Sequence, residues 1–167
     1  MGSIDRKKTV TWQDPKNNTR DISNISGLDY LRSIKNEKIA PPPVAMLVGY
    51  KILNIENGSV VYELTPKEYH YNLFSTVHGG IISTLLDTAM TAAVLSTLSK
   101  GINCSTVEIK VNFVRPITSK CETLKCEAQS LHIGKSLATA EGKLKDQNGK
   151  LYAHGVSTCS IFKSKTG

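Results

Sequence analysis

The chain has 167 residues, 40% hydrophobic and 21% charged, which suits a single domain with its own core. It holds no run of about 18 apolar residues, and its start, MGSIDRKKTV, has no apolar stretch, so neither a membrane span nor a secretory signal is expected. The net charge of +7 is spread out, with no cluster denser than Arg6-Lys7-Lys8, and only 6% of residues are aromatic; this disfavours a nucleic-acid module and leaves a phosphorylated small ligand as a suitable anion.

Residues 1 to about 23 are polar, with turn signals at Asp14-Pro15 and Asn17-Asn18, and read as a poorly ordered arm before a domain over 24–165. Ser26 suits the N-cap of a short helix, Gly27 to about Asn36, with Asp29 as its capping-box partner. Pro41-Pro42-Pro43 ends that helix and forces an extended link. Two strands are expected next, Val44 to Ile55 and Ser59 to Leu64, joined at Asn57-Gly58, a strong hairpin signal. Lys67 to Thr76 is an irregular loop.

From His78-Gly79-Gly80 the chain runs about five turns without Pro or Gly. Ile81, Ile82, Leu85, Leu86, Ala89, Met90, Ala93 and Val94 recur at helical spacing over a wide arc, as in a helix wrapped by other structure. Asp87 lies mid-run, beside a polar stripe of Thr84, Thr88 and Thr91. An acid in an otherwise buried helix is costly unless something uses or satisfies it.

Four strands follow. Cys104 to Val114 alternates, with Val107, Ile109, Val111 and Phe113 on one face; then come Cys121 to Ile133, Ser136 to Lys145 and Lys150 to Phe162. Turns at Gly134-Lys135 and Asp146-Gln147-Asn148-Gly149 make these later strands read as an antiparallel meander. The fold class is therefore α+β: a curved antiparallel sheet of about six strands around one long helix, with a short N-terminal helix. Such a sheet leaves part of its helix to be covered by another copy, so a homo-oligomer is expected. Cys104, Cys121, Cys126 and Cys159 have no C-x-x-C spacing and read as reduced thiols of a cytoplasmic protein.

Asn72, His78-Gly79-Gly80 and Asp87 together resemble the hotdog-fold acyl-CoA thioesterases of the PaaI type. Agreement extends to Val111-Asn112-Phe113-Val114-Arg115-Pro116, Ala140-Glu141-Gly142-Lys143-Leu144 and Ala153 to Cys159, and covers residues 25 to 163. The resemblance implies hydrolysis of acyl-coenzyme A to free acid and CoA by a homodimer or homotetramer. It also implies that the helix acid of one subunit faces the HGG turn of its partner. Asp87 would be the catalytic carboxylate, the Gly79 N–H the oxyanion donor, and Asn72 and His78 would line the site. Thr106 stands where some relatives place a hydroxyl that helps hold water, and the Asp, where a neighbouring branch has Glu, favours the PaaI-like branch.

The chemistry fits these residues. A helix N-terminus offers unpaired N–H groups, and glycine lets a carbonyl approach them closely. A nearby carboxylate can act as general base or as nucleophile, and the residues alone leave both open. Further substrate contacts are expected at Gly80, Phe74 and Met90, with Arg115 and Lys135 meeting the CoA phosphates. His78 suits a helix cap better than a proton shuttle. Ser75, His78 and Asp87 lack the G-x-S-x-G elbow of a triad hydrolase. No metal-ligand spacing is present and no resident cofactor is expected, CoA being part of the substrate. The alternative is a non-catalytic acyl-CoA-binding or regulatory hotdog protein, which would have lost the acid or the HGG turn; both are present. A hydratase of the same fold would carry a closely spaced Asp and His on one helix, and none exists.

Overall fold

The computed structural model describes residues 5–16 and 24–164. The turn signals Asn17-Asn18 lie outside them. The elements run α1 (Gly27–Lys35), α2 (Pro43–Val48), β1 (Lys51–Glu56), β2 (Ser59–Leu64), a 3-10 turn (Glu68–His70), α3 (Gly79–Leu95), β3 (Ile102–Phe113), β4 (Leu124–Ile133), β5 (Leu137–Lys145) and β6 (Leu151–Lys163).

Local signals explain most boundaries. The Ser26 hydroxyl accepts the Asp29 N–H at 3.1 Å and donates to the Asp29 carboxylate at 2.7 Å, which starts α1. The Gly27 N–H then donates to the Leu98 carbonyl, so α1 lodges against the end of α3. The expected first strand, Val44 to Ile55, is corrected: its first half is α2. Pro42 is extended, Pro43 takes the first helical turn, and Gly49 closes the helix with φ +88°. A short apolar run fits a strand or a helix equally well, and here the flanking Pro and Gly decide. The strand itself begins only at Lys51, and the Asn57-Gly58 hairpin forms as read.

The six strands are antiparallel, in the order β1-β2-β4-β5-β6-β3. Strands β4, β5 and β6 form the expected meander, but β3 does not join it through β4. It lies at the sheet's edge and, among the described residues, pairs only with β6. The 114–123 link crosses instead of turning back. Ile117 within it is buried and its carbonyl accepts the Val77 N–H, tying the link to the loop before α3.

Helix α3 fills the concave face of the sheet. Leu85, Leu86, Ala89, Met90, Ala93 and Val94 are fully buried against Val60, Tyr62 and Leu64 of β2, Leu124 and Cys126 of β4, and Ala140 and Leu144 of β5. Helix and sheet approach closely at Gly142, where a Cβ would stand 3.1 Å from both Leu86 and Met90. No helix among the described residues is long and apolar enough to cross a membrane.

Strand β3 breaks its own alternation. The ladder to β6 pairs Thr106 with Cys159 and then Glu108 with Thr158, so Val107 is an extra residue in a β-bulge. Cys104, before the bulge, and Ile109 and Val111, after it, all pack towards the core, while Val107 is 64% exposed. The sequence pattern, which puts Val107 on one face with Ile109 and Val111, is corrected here. Without the extra residue, Thr106 and Ile109 would point to opposite faces.

Candidate active site

The start of α3 is prepared by two histidines and an asparagine. Asn72 Oδ1 accepts the N–H groups of Phe74 (2.8 Å) and Thr76 (3.3 Å), which shapes the 72–76 turn. His70, buried beneath this loop, accepts the Lys67 N–H at Nδ1 and donates from Nε2 to the Val48 carbonyl at 2.9 Å. That pattern fixes one neutral tautomer. Burial holds its pKa below the usual histidine value. The His70 carbonyl accepts the His78 N–H.

His78 is the N-cap of α3. Its Nδ1 accepts the Gly80 N–H at 2.8 Å, and its carbonyl accepts the Ile81 N–H. This satisfies Gly80 and leaves the amide before it. Among the described residues, no acceptor meets the Gly79 N–H. That amide opens on a depression of about 470 Å³ lined by Tyr71, Asn72, Leu73, Phe74, His78 and Gly79. Leu73 and Phe74 project from its rim, 97% and 84% exposed. The Phe113 ring covers Gly79 from β3, 3.2 Å from where a Cβ would lie.

Asp87 is half-buried two turns further along α3. The bulge in β3 brings Thr106 to it, and the Thr106 hydroxyl donates to Asp87 Oδ1 at 2.7 Å. Thr91 Oγ1 lies 2.9 Å from Thr106 Oγ1. Thr88, the next residue of the helix, donates to the buried Tyr50 hydroxyl at 3.3 Å. Burial raises the Tyr50 pKa, and the Asp87 charge adds to the rise.

The two halves of the expected site are not in contact within one protomer. Eight residues separate Gly79 and Asp87 on a regular helix, or about 12 Å along its axis. The structure thus groups Asn72, Phe74, His78 and Gly79 in one place and Asp87 with Thr106 in another. Met90 lies in neither, being fully buried in the core under Gly142. Arg115 is exposed and spends one N–H on the Leu151 carbonyl at 2.5 Å; Lys135 is exposed at the β4–β5 turn. Tyr50 and Leu73 carried no signal in the sequence, since one sits before a strand and the other in an irregular loop. Among the described residues, no group of three His, Cys or acidic side chains is placed to hold a metal.

Comparison with known proteins bears on this arrangement. The family model described as thioesterase superfamily matches residues 74–153, from the depression through the first residues of β6. Human acyl-coenzyme A thioesterase 13 is 33% identical over 102 residues, 60% of this chain and 71% of that protein. The chain belongs to the thioesterase superfamily. Among solved structures, zebra fish thioesterase superfamily member 2 superimposes with a TM-score of 0.68 at 28% identity, covering 80% of this chain and 96% of that one. The Escherichia coli PaaI protein, from the phenylacetic acid degradation operon, shares the fold with a TM-score of 0.73 at 22% identity, covering 83% and 98%. As a hotdog-fold superfamily member of PaaI type, the chain carries its free helix amide and its helix acid inside the matched segment.

Proposed function

We propose that this protein hydrolyses acyl-coenzyme A thioesters, with each site shared between two subunits of a homodimer or homotetramer. The observation that carries the reading is the Gly79 N–H. It is a free donor at a helix N-terminus, open to a depression, where a thioester carbonyl would find both a hydrogen bond and a partial positive charge. Asp87 is the carboxylate of the same helix, already oriented by Thr106.

Asp87 either takes a proton from water as the water oxygen attacks the thioester carbon, or attacks that carbon itself to give an anhydride that water then opens. In both routes negative charge develops on the carbonyl oxygen, facing the Gly79 N–H. The C–S bond then breaks, and the CoA thiolate leaves and takes up a proton. Asn72 and His78 hold the turn that aims the amide. Phe74 and Leu73 offer apolar cover, and Lys135 and Arg115 are exposed cations available to the CoA phosphates.

Sharing between subunits is supported by the 12 Å separation and by the outer edge of β3, unpaired among the described residues, which runs beside Asp87. A second copy antiparallel to the first along this edge would bring one helix start towards the other helix acid.

The test is hydrolysis of an acyl-CoA panel with free-thiol detection, wild type beside Asp87→Ala and Asp87→Asn. Turnover falls by about 100-fold or more in both variants. Near-normal rates in either would remove Asp87 from the chemistry.

A further inference from the structure

Asp87 is held by a directed chain of hydroxyls. A carboxylate only accepts hydrogen bonds, so the single Thr106 proton goes to Asp87 across 2.7 Å. The Thr106 oxygen, 2.9 Å from Thr91 Oγ1, can then only accept, and the Thr91 proton is committed to it. Thr91 is one turn after Asp87 on the same face of α3, half-buried, and backed by two thiols. Cys159 Sγ lies 3.9 Å from its hydroxyl, and Cys104 Sγ lies 3.7 Å from its carbonyl. Cys159 and the Tyr50 hydroxyl, from the segment before β1, both sense the Asp87 charge. Among the described residues, no other donor reaches the Thr106 hydroxyl oxygen.

We infer that Thr91 is a positioning residue for thioester hydrolysis, acting on Asp87 through Thr106. By donating to Thr106 it fixes the hydroxyl rotor, which otherwise turns freely, in the orientation that meets the carboxylate. It also polarises the Thr106 O–H, and a bond in a chain is a stronger donor than one alone. A stronger donor holds the Asp87 carboxylate more firmly in one orientation, as either route of hydrolysis needs. The role is remote from substrate. Thr106 stands between Thr91 and the acid, and the surrounding groups are core thiols.

This inference rests on the proposed role of Asp87 and is tested beside it, with Thr91→Val, Thr91→Ser and Thr106→Val in the full chain. Valine keeps the shape of threonine and removes the donor. Thr91→Val lowers kcat by about 10-fold with KM nearly unchanged, because the carboxylate is less firmly held while the substrate contacts stay in place. Thr91→Ser restores kcat, which a variant damaged only in folding would not do. In a Thr106→Val background, Thr91→Val adds nothing further, since the chain is already cut. An unchanged kcat in Thr91→Val, or full additivity of the two valine changes, overturns the inference even when Asp87→Ala is inactive. An active Asp87→Ala overturns the parent reading instead.

Discussion

Gly79→Pro isolates the proposed oxyanion donor with little damage to the fold. Gly79 is the first residue of α3, and proline is well accepted there because that N–H makes no intrahelical bond. The residue before a proline must be extended, and His78 already is, with φ −60° and ψ 135°. The Gly80 N–H and its bond to His78 Nδ1 survive, so the cap is kept. At the Cβ position the steric demand is on the Phe113 ring, 3.2 Å away, and that side chain is 54% exposed and free to swing aside. The change therefore deletes one donor at the developing charge, for about 3–4 kcal/mol, or between 100- and 1,000-fold in kcat. Thermal unfolding should move by only a few degrees. Free-thiol release from an acyl-CoA substrate reads the rate, and activity within about threefold of wild type would refute the role of the Gly79 amide.

The same variant tests the shared site. If Gly79 and Asp87 act across a subunit boundary, a heterodimer of Gly79→Pro and Asp87→Asn chains has one site with both groups intact and one with neither. Equal mixing with free reassortment then restores about a quarter of wild-type activity. A site built within one chain restores none, and that result would refute the sharing.

Two stability predictions stand apart from the chemistry. Gly27→Ala puts a methyl 1.9 Å from the Leu95 carbonyl oxygen, a backbone atom that cannot swing away, and should cost about 3 kcal/mol, read as a drop of roughly 6–12 °C in Tm; an unchanged Tm would show that α1 shifts freely. His70 is neutral and buried with its pKa lowered, so the unfolded chain takes up the proton first as pH falls below 6.5. Its stabilising effect is complete above that pH and is lost on acidification. The gap in denaturation midpoint between wild type and His70→Gln should therefore narrow from pH 7 to pH 5, by at most ~1.4 kcal/mol per pH unit; a constant gap would exclude His70 as the source.

The sequence was most legible where one residue type carries one backbone role. Ser26 with Asp29, Asn57-Gly58 and His78-Gly79-Gly80 each formed the cap or turn they spell. The wide apolar arc of α3 was readable because it is wrapped on most sides. The misreadings came from long-range pairing. The apolar run at Val44 hid a helix whose Pro and Gly limits decide it. The 114–123 link did not reveal that β3 pairs with β6, since neither strand records its partner. Met90 was expected to meet substrate, yet it stands one residue before Thr91 and faces the core instead of the hydroxyl stripe. His70 went unread because its value lies in two backbone groups, Val48 and Lys67, that only the folded loop brings to it.

The skipped residue at Val107 leaves β3 with a rival register. An unbulged strand would stack Val107, Ile109, Val111 and Phe113 inward, an attractive apolar ladder, and turn Thr106 outward. The bond from Thr106 to Asp87 opposes that slip. The helix acid is thus also a latch on the border strand. Replacing it with alanine frees the strand along the edge where a second copy would sit, whereas asparagine keeps an acceptor for Thr106 and leaves the strand in place.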